Sequence, residues 1–339
     1  MRIGMLTGGG DCPGLNPAIR GCVIRSMDFG NECIGFLEGW KGLYEGNTVP
    51  MGLKEVDEIV YKGGTIIGTS RFNLAKRDDG IEKIKRNMEK YNVDAIVAMG
   101  GEDTLGVAAK IYEQGIKVVG VPKTIDNDLY ATDFTFGFDT AVTRNIDACR
   151  ALMDTGKSHR RIMVLEVMGR HAGWIAAYTF LASGADWCIL PEFKNDYDKM
   201  YQHLKEVYKR KNYGLVIISE GIDIPEDTST QVTDEFGHIT VTKRGTDEKI
   251  AKMIEKNTGI ETRSSVMGHM QRGGAPTVFD RILGLRVGVK AAELVNNGDF
   301  GKMACLRGNK IEAVELKEAV AKLKTVDKDW FELTKIFFK

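Results

Sequence analysis

The ten residues VPKTIDNDLY, 121–130, gather Lys123, Thr124, Asp126 and Asp128 directly after the apolar run KVVGV. A carboxylate within reach of a substrate hydroxyl can take its proton, while a second carboxylate nearby can hold Mg²⁺ or fix the first. Asp126 and Asp128 supply such a pair. D-N-D sequences also cap turns and helices. The chemical reading gains weight from Lys123 and Thr124 beside the pair and from the acidic GGED stretch, residues 100–103, one predicted strand away.

Three other loops follow predicted strands. GGGDCPG (8–14) follows RIGML, GGTIIGTSR (63–71) follows a weaker strand, and GGEDTLG (100–106) follows DAIVAM. In an open α/β sheet ligands sit beyond the carboxyl ends of the strands, so these loops and PKTIDND can line one crevice. Paired glycines let backbone N–H groups approach an anion, and helices predicted to start near Asn16 and Thr104 add positive dipole ends. Each Gly-Gly turn alone is ordinary turn chemistry. Together with the acids they describe a phosphate cradle.

The elements that must hold these loops alternate along the chain. RIGML, ECIGFL, DAIVAMG, KVVGV, RIMVLEV, GLVIISE and MACLRG read as buried strands; GIEKIKRNMEKYN, TLGVAAKIYEQ, TAVTRNIDACRALMD and YDKMYQHLKEVYKRK read as amphipathic helices. That alternation predicts an α/β fold class with parallel sheets. Pro17 near a helix start and Gly30 after a helix end fit the proline-first, glycine-last asymmetry. The polar segment Thr228 to Thr246, centred on Phe236 and Gly237, predicts an exposed hairpin or flap.

A length of 339 residues suggests about two domains. Lys plus Arg and Asp plus Glu number 47 each, which leaves no broad field for nucleic acid or an anionic membrane. Phosphate binding must therefore be local. No stretch reaches the ~20 apolar residues of a membrane span, and the N-terminus reads as strand and loop, so a soluble cytoplasmic protein is expected. Six cysteines without C-x-x-C spacing predict reduced core thiols. The 39 glycines exceed the usual ~7% of residues and mark loops where backbone approaches a ligand.

Several familiar signatures are absent. GGGDCPG does not match G-x-G-x-x-G, and no H-E-x-x-H or G-x-S-x-G occurs. TGKS at 155–158 imitates the end of a Walker A loop, but Ala151 replaces the required first glycine and the preceding residues look helical. Lys157 reads as a solvated helix-end charge.

In this order over nearly the whole chain, GGGDCPGLN, GTSR, GGEDT, PKTIDND, EVMGRHAGW, ISEG and GHMQRGG resemble the 6-phosphofructokinase family. The resemblance implies two Rossmann-like three-layer domains with the active site in the cleft between them. Residues 1–137 with 271–320 would bind the phosphoryl donor; 138–270 with 321–339 would bind fructose 6-phosphate. It implies Mg²⁺ as cofactor and phosphoryl transfer to the 1-hydroxyl of the sugar. Asp126 resembles the general base, with Thr124 and Asp128 holding the substrate. Gly10 and Arg71 resemble groups that stabilise the transferring phosphoryl, and Glu102 replaces the family's usual metal-associated aspartate. Met168, Gly169, Arg170 and Glu220 would grip the sugar, and His269 and Arg272 its 6-phosphate. Arg161 and Arg263 match arginines that reach the sugar phosphate of a neighbouring subunit, which implies a homo-oligomer, dimer or tetramer.

The donor is addressed by two departures. ATP-using members usually carry glycine where this chain has Asp103 and Lys123. An aspartate there would repel the α-phosphate of a nucleotide by about 4 kcal/mol at ~4 Å and an effective dielectric near 20, roughly three decades in affinity. Lys123 would offer a point charge to a shorter anion. The pair resembles the pyrophosphate-dependent branch of the family, and the resemblance then implies a reversible reaction. Asp103 also suits the first turn of a helix. The ATP-dependent kinase stays open as an alternative because Phe72, beside Arg71, could pack on adenine. A non-catalytic sugar-phosphate sensor is a second alternative. Arg20 and Arg25 resemble effector-site arginines, but Met153 stands where allosteric members place a third.

Overall fold

The computed structural model of the protein describes residues 1–224 and 245–339. Its backbone contacts divide the chain into two compact units. Unit 1 holds Met1–Ile125, Leu129–Thr140 and Arg272–Leu323; unit 2 holds Asp126–Asp128, Ala141–Gln271 and Lys324–Lys339.

In chain order the strands are β1 (Arg2–Thr7), β2 (Glu32–Phe36), β3 (Thr48–Met51), β4 (Ala95–Gly100), β5 (Val118–Pro122), β6 (Ile162–Val167), β7 (Trp187–Ile189), β8 (Gly214–Ser219), β9 (Thr262–Val266), β10 (Lys302–Arg307) and β11 (Lys310–Glu315). The helices are α1 (Leu15–Asp28), α2 (Trp40–Glu45), α3 (Leu53–Val56), α4 (Gly80–Lys90), α5 (Glu102–Glu113), α6 (Phe138–His159), α7 (Trp174–Ser183), α8 (Tyr197–Lys211), α9 (Thr246–Thr258), α10 (Val278–Asn297), α11 (Leu316–Ala319) and α12 (Lys328–Ile336).

Unit 1 is built on a seven-stranded sheet in the order β11-β10-β5-β4-β1-β2-β3. Its five central strands run parallel and its two edges antiparallel. Every residue of β4 and β5 is buried, as expected of parallel strands covered on both faces. Unit 2 has a four-stranded, all-parallel sheet, β7-β8-β6-β9, whose central β6 and β8 are likewise buried throughout. All seven strands anticipated from apolar runs are present. The four unanticipated ones, β3, β7, β9 and β11, are the four sheet edges. They are short or carry polar residues, as in TRSSV of β9, because an edge strand pairs on one side only.

One local expectation changes. Loop 63–71 is preceded by the short helix α3 and turns, not by a strand, since Leu53–Val56 satisfies its first turn with the Glu55 carboxylate on the Gly52 N–H at 2.9 Å. The hairpin expected at Thr228–Thr246 lies outside the described residues except at its end, where Gly245, in the left-handed region, precedes α9 and Thr246 opens that helix. TGKS belongs to the last turn of the continuous helix α6 and forms no loop.

Helices α1 and α10 of unit 1 touch through their backbones. A Cβ on Gly21 would stand 2.4 Å from the Leu285 carbonyl oxygen, and one on Gly288 would stand 2.1 Å from that of Ala18. Asp280, in the first turn of α10, is buried, and burial pushes its carboxyl pKa up to about 6. Its Oδ2 accepts from the Thr140 N–H at 2.8 Å and the Thr140 hydroxyl at 2.5 Å, which ties the N-terminus of α10 to that of α6. All six cysteines are buried free thiols. Among the described residues no helix is long and apolar enough to cross a membrane.

The glycine contact generates a contrast in stability. Gly288→Ala forces α10 away from α1 and is expected to lower stability by about 1–3 kcal/mol. Gly106→Ala in α5, where an added Cβ meets nothing within 4 Å, is expected to raise it by up to ~1 kcal/mol. Denaturant midpoints of the two variants against the parent check both signs.

Candidate active site

Three of the four loops converge in unit 1 because they leave the same ends of neighbouring parallel strands. β1 and β4 pair with Thr7 opposite Met99, and β4 and β5 with Gly100 opposite Pro122, so Gly8, Gly101 and Lys123 emerge side by side. The fourth loop joins them through the bridge Gly8 to Ser70: the Gly9 N–H donates to the Ser70 carbonyl at 3.0 Å and the Thr69 hydroxyl to the Gly9 carbonyl at 2.8 Å. Thr104 is wedged beneath this junction. A Cβ on Gly8 would lie 2.5 Å from its Oγ1, and one on Gly100 would lie 2.2 Å from its Cβ.

The expected donor residues take distinct positions. Lys123 is 3% exposed, and its ammonium donates to the Gly10 carbonyl at 2.6 Å. Gly9, with φ +79°, brings the loop over that ammonium. Glu102 and Asp103 form the first turn of α5, half-buried, where the helix dipole favours negative charge. Arg71 is exposed. Phe72 is already engaged, packing on Tyr44 with ring centroids 5.2 Å apart and capped by the Arg77 guanidinium at 5.1 Å. Arg272 belongs to this unit. Its Nη1 donates to the Asp11 carbonyl at 3.2 Å, and a Cβ on Gly10 would stand 2.7 Å from the same nitrogen. Thr124 is buried, and its carbonyl accepts from the Thr135 hydroxyl at 2.7 Å.

In unit 2, Asp126 is 5% exposed, Asp128 half-buried, and Asn127 between them is buried with φ +53°. The Lys324 ammonium donates to Asn127 Oδ1 at 3.0 Å, and the Lys324 N–H donates to the Asp128 carbonyl at 2.7 Å.

Met168, Gly169 and Arg170 follow the carboxyl end of β6, and Glu220 follows that of the adjacent β8. The Arg170 N–H donates to Glu220 Oε1 at 3.2 Å, and the Arg170 carbonyl would lie 1.7 Å from a Cβ on Gly221. His269, beyond the carboxyl end of β9, is exposed. Gln271 went unremarked in the sequence. Fully buried, it accepts from the Met168 N–H at 3.3 Å and from the Asn145 side chain at 3.0 Å. It lies inside GHMQRGG, so only its burial, not its presence, was hidden.

Arg161 and Arg263 stand elsewhere. Arg161 precedes β6 and Arg263 pairs with Met163 near the start of β9, both at the amino end of the sheet. They share Glu261: Arg161 reaches it at 2.9 Å and Arg263 at 2.6 Å, and Arg161 holds its carboxyl below the usual range. Seven residues of extended chain, about 20 Å, separate Arg161 from Met168. Within one chain the two arginines are therefore not brought to the Arg170 and Glu220 site.

Of the effector-like arginines, Arg20 donates to the Val56 carbonyl at 2.6 Å and Arg25 pairs with Glu293 at 3.2 Å. No group of three or more His, Cys, Asp or Glu side chains converges as a metal cage among the described residues. Magnesium is commonly held by one or two carboxylates together with substrate phosphates. The carboxylates opening α5 beside a glycine-rich loop fit that mode.

The sequence profile described as Phosphofructokinase matches residues 2–295. A pyrophosphate--fructose 6-phosphate 1-phosphotransferase of Dictyoglomus thermophilum is 47% identical over 343 residues, covering 100% of this chain and 99% of that one. An ATP-dependent 6-phosphofructokinase of Corynebacterium efficiens is 42% identical over 333 residues, covering 96% of this chain and 95% of that one. The solved structure of phosphofructokinase from Saccharomyces cerevisiae superposes with a TM-score of 0.83 at 27% identity, covering 99% of this chain, which spans half the length of the yeast chain. Carrying that family's profile over most of its length, on the fold that its solved members share, this chain belongs to the phosphofructokinase family.

Proposed function

We propose that the protein catalyses the reversible, Mg²⁺-dependent transfer of a phosphoryl group from pyrophosphate to the 1-hydroxyl of fructose 6-phosphate, giving fructose 1,6-bisphosphate and phosphate. The pyrophosphate-dependent and ATP-dependent relatives are similarly close, 47% and 42% identical. The donor reading therefore rests on one observation: Asp103 and Lys123 leave the same ends of the paired strands β4 and β5, with Lys123 buried against the Gly10 carbonyl. An acid and an ammonium at those positions favour a short, highly charged donor and oppose a nucleotide. Phe72, the residue that favoured adenine, is occupied by Tyr44 and Arg77.

Unit 1 carries the donor residues of this reading together with Thr124 and Arg272 of the acceptor set, and unit 2 carries the remaining acceptor residues. The bond between the bridging oxygen and the transferring phosphorus breaks as the sugar 1-oxygen bonds to that phosphorus, and the hydroxyl proton passes to Asp126. Lys123, Arg71 and the N–H groups of the loop at Gly10 stabilise the charge on the transferring group. Glu102 would hold Mg²⁺, whose charge, when bound, neutralises the diphosphate. Thr124 and Asp128 hold the sugar beside the base; Met168, Gly169, Arg170 and Glu220 grip its hydroxyls; His269 and Arg272, the latter steadied by Asp11, take its 6-phosphate.

Arg161 and Arg263 act on the site of a neighbouring subunit. That reading is supported by their place at the amino end of the sheet, a strand's length from Arg170. The protein is then an obligate homo-oligomer. With pyrophosphate and a sugar bisphosphate of similar transfer potential, it serves either direction of glycolytic flux, in the cytoplasm.

Three measurements check these assignments. With purified protein, turnover is expected with pyrophosphate, and Asp103→Gly is expected to raise kcat/KM for ATP at least about tenfold, some 1.4 kcal/mol; robust turnover of the parent with ATP and none with pyrophosphate would reverse the donor. Asp126→Ser is expected to lower kcat by about 10²–10⁴-fold, in steady-state assays that leave the KM for pyrophosphate near the parent value. Mixing inactive Asp126→Ser with inactive Arg161→Ala subunits under reassembly is expected to regain activity, because hybrids contain one intact shared site; continued inactivity of verified hybrids contradicts sharing.

A further inference from the structure

We infer that Lys324 is a positioning residue for the loop that carries the base. The inference rests on the phosphotransferase reading and adds to it a part for the chain's C-terminal segment. Asp126–Asp128 belong to unit 2 although the residues on both sides belong to unit 1, so three residues must be tied into a unit they barely enter. At their centre Asn127 is buried and left-handed, a conformation that costs a non-glycine residue on the order of 1 kcal/mol and persists only where surroundings hold it.

Lys324 supplies a two-point grip. Its ammonium donates to Asn127 Oδ1 at 3.0 Å and its N–H to the Asp128 carbonyl at 2.7 Å. The ammonium can only donate, so the Asn127 oxygen must face it. The grip fixes the residue between the two carboxylates and the backbone of the second one.

Lys324 is itself fixed. Its carbonyl accepts from the Trp174 indole N–H at 2.8 Å. Two residues on, the Val326 N–H donates to Glu192 Oε1 at 2.9 Å, which also takes the Gly173 N–H at 2.8 Å. The segment continues into α12, where Trp330 stacks on Tyr178 with centroids 4.9 Å apart and meets Trp174 edge-on at 5.7 Å. Phe331 stacks on Phe193 at 4.0 Å. Trp174 closes the EVMGRHAGW motif, so the same lysine links the base loop to the segment that carries Arg170. Docking of α12 thus sets where Lys324 stands, and Lys324 sets where Asp126 and Asp128 stand. None of this was visible in LKTV, which matches no motif.

The test compares Lys324→Met, Lys324→Arg, Asn127→Ala and the Lys324→Met/Asn127→Ala double variant. Lys324→Met is expected to lower kcat in both directions by at least about tenfold, as a base misplaced by a fraction of an ångström does, with the KM for pyrophosphate within about twofold of the parent. Lys324→Arg is expected to recover most of the loss, and the double variant to be no worse than the poorer single one, since both remove one interaction. Hydrogen exchange of the free enzyme supplies a readout independent of activity: in Lys324→Met the amides of residues 125–129 are expected to exchange faster while those of α12 keep their protection. A kcat within twofold of the parent, unchanged exchange in that loop, or strictly additive losses would overturn the inference. Should Lys324→Met not fold, Asn127→Ala and Lys324→Arg carry the same comparison. Absence of any phosphotransferase activity in the parent would instead remove the functional reading, and the exchange result would still stand or fall by itself.

Discussion

Two missing β-carbons govern the loop junction at the carboxyl ends of β1 and β4. Thr104 sits where side chains on Gly8 and Gly100 would be, at 2.5 and 2.2 Å from the positions their Cβ atoms would take. Only glycine at both strand ends lets a buried hydroxyl residue at the start of α5 fill the space between β1 and β4, and that closeness brings Gly9, Gly101 and Lys123 within one another's reach. Protein interiors yield little to added volume. A methyl group at either glycine would drive α5 outward and carry Glu102 and Asp103 with it. The arrangement of charge around the loop thus follows from a packing constraint one layer below it.

The two units use the ends of their sheets differently. In unit 1 the glycine-rich loops are gathered at the carboxyl ends of the parallel strands, where open α/β sheets generally bind ligands. Unit 2 is occupied at both ends: Met168, Gly169, Arg170 and Glu220 at one, Arg161 and Arg263 with their common carboxylate at the other. The strand β6, only six residues long, keeps the two groups apart without any intervening domain.

The legible parts of the sequence were those where burial or backbone freedom writes a strong pattern. β4 and β5 are unbroken apolar runs because both faces are covered, and the glycine pairs stand out because positions such as Gly9, left-handed, and Gly100, pressed on Thr104, have no room for another residue. The edge strands were not legible: β9 reads TRSSV and β7 is three residues long, so neither shows a run or an alternation. Arg263 is singled out by its motif, while the strand that carries it shows no pattern. Gln271 and Lys324 went unseen for another reason. Each acts through one or two hydrogen bonds to residues about 100 or 200 positions away, and long-range pairing leaves no local periodicity. The weaker strand expected before residue 63 is absent: a short apolar stretch next to glycine looks alike whether it continues as strand or as turns.

The edges of the larger sheet have a bearing on handling the protein in quantity. An open sheet ends in rows of unpaired amides that can recruit strands from other molecules and seed aggregates. Here β3 places Pro50, which has no N–H to offer, on the outer flank beyond β2, while β11 carries exposed Lys310, Glu312 and Glu315 along the opposite one. A flank that lacks a donor and a flank that bears exposed charge both discourage sheet extension at the margins of the core.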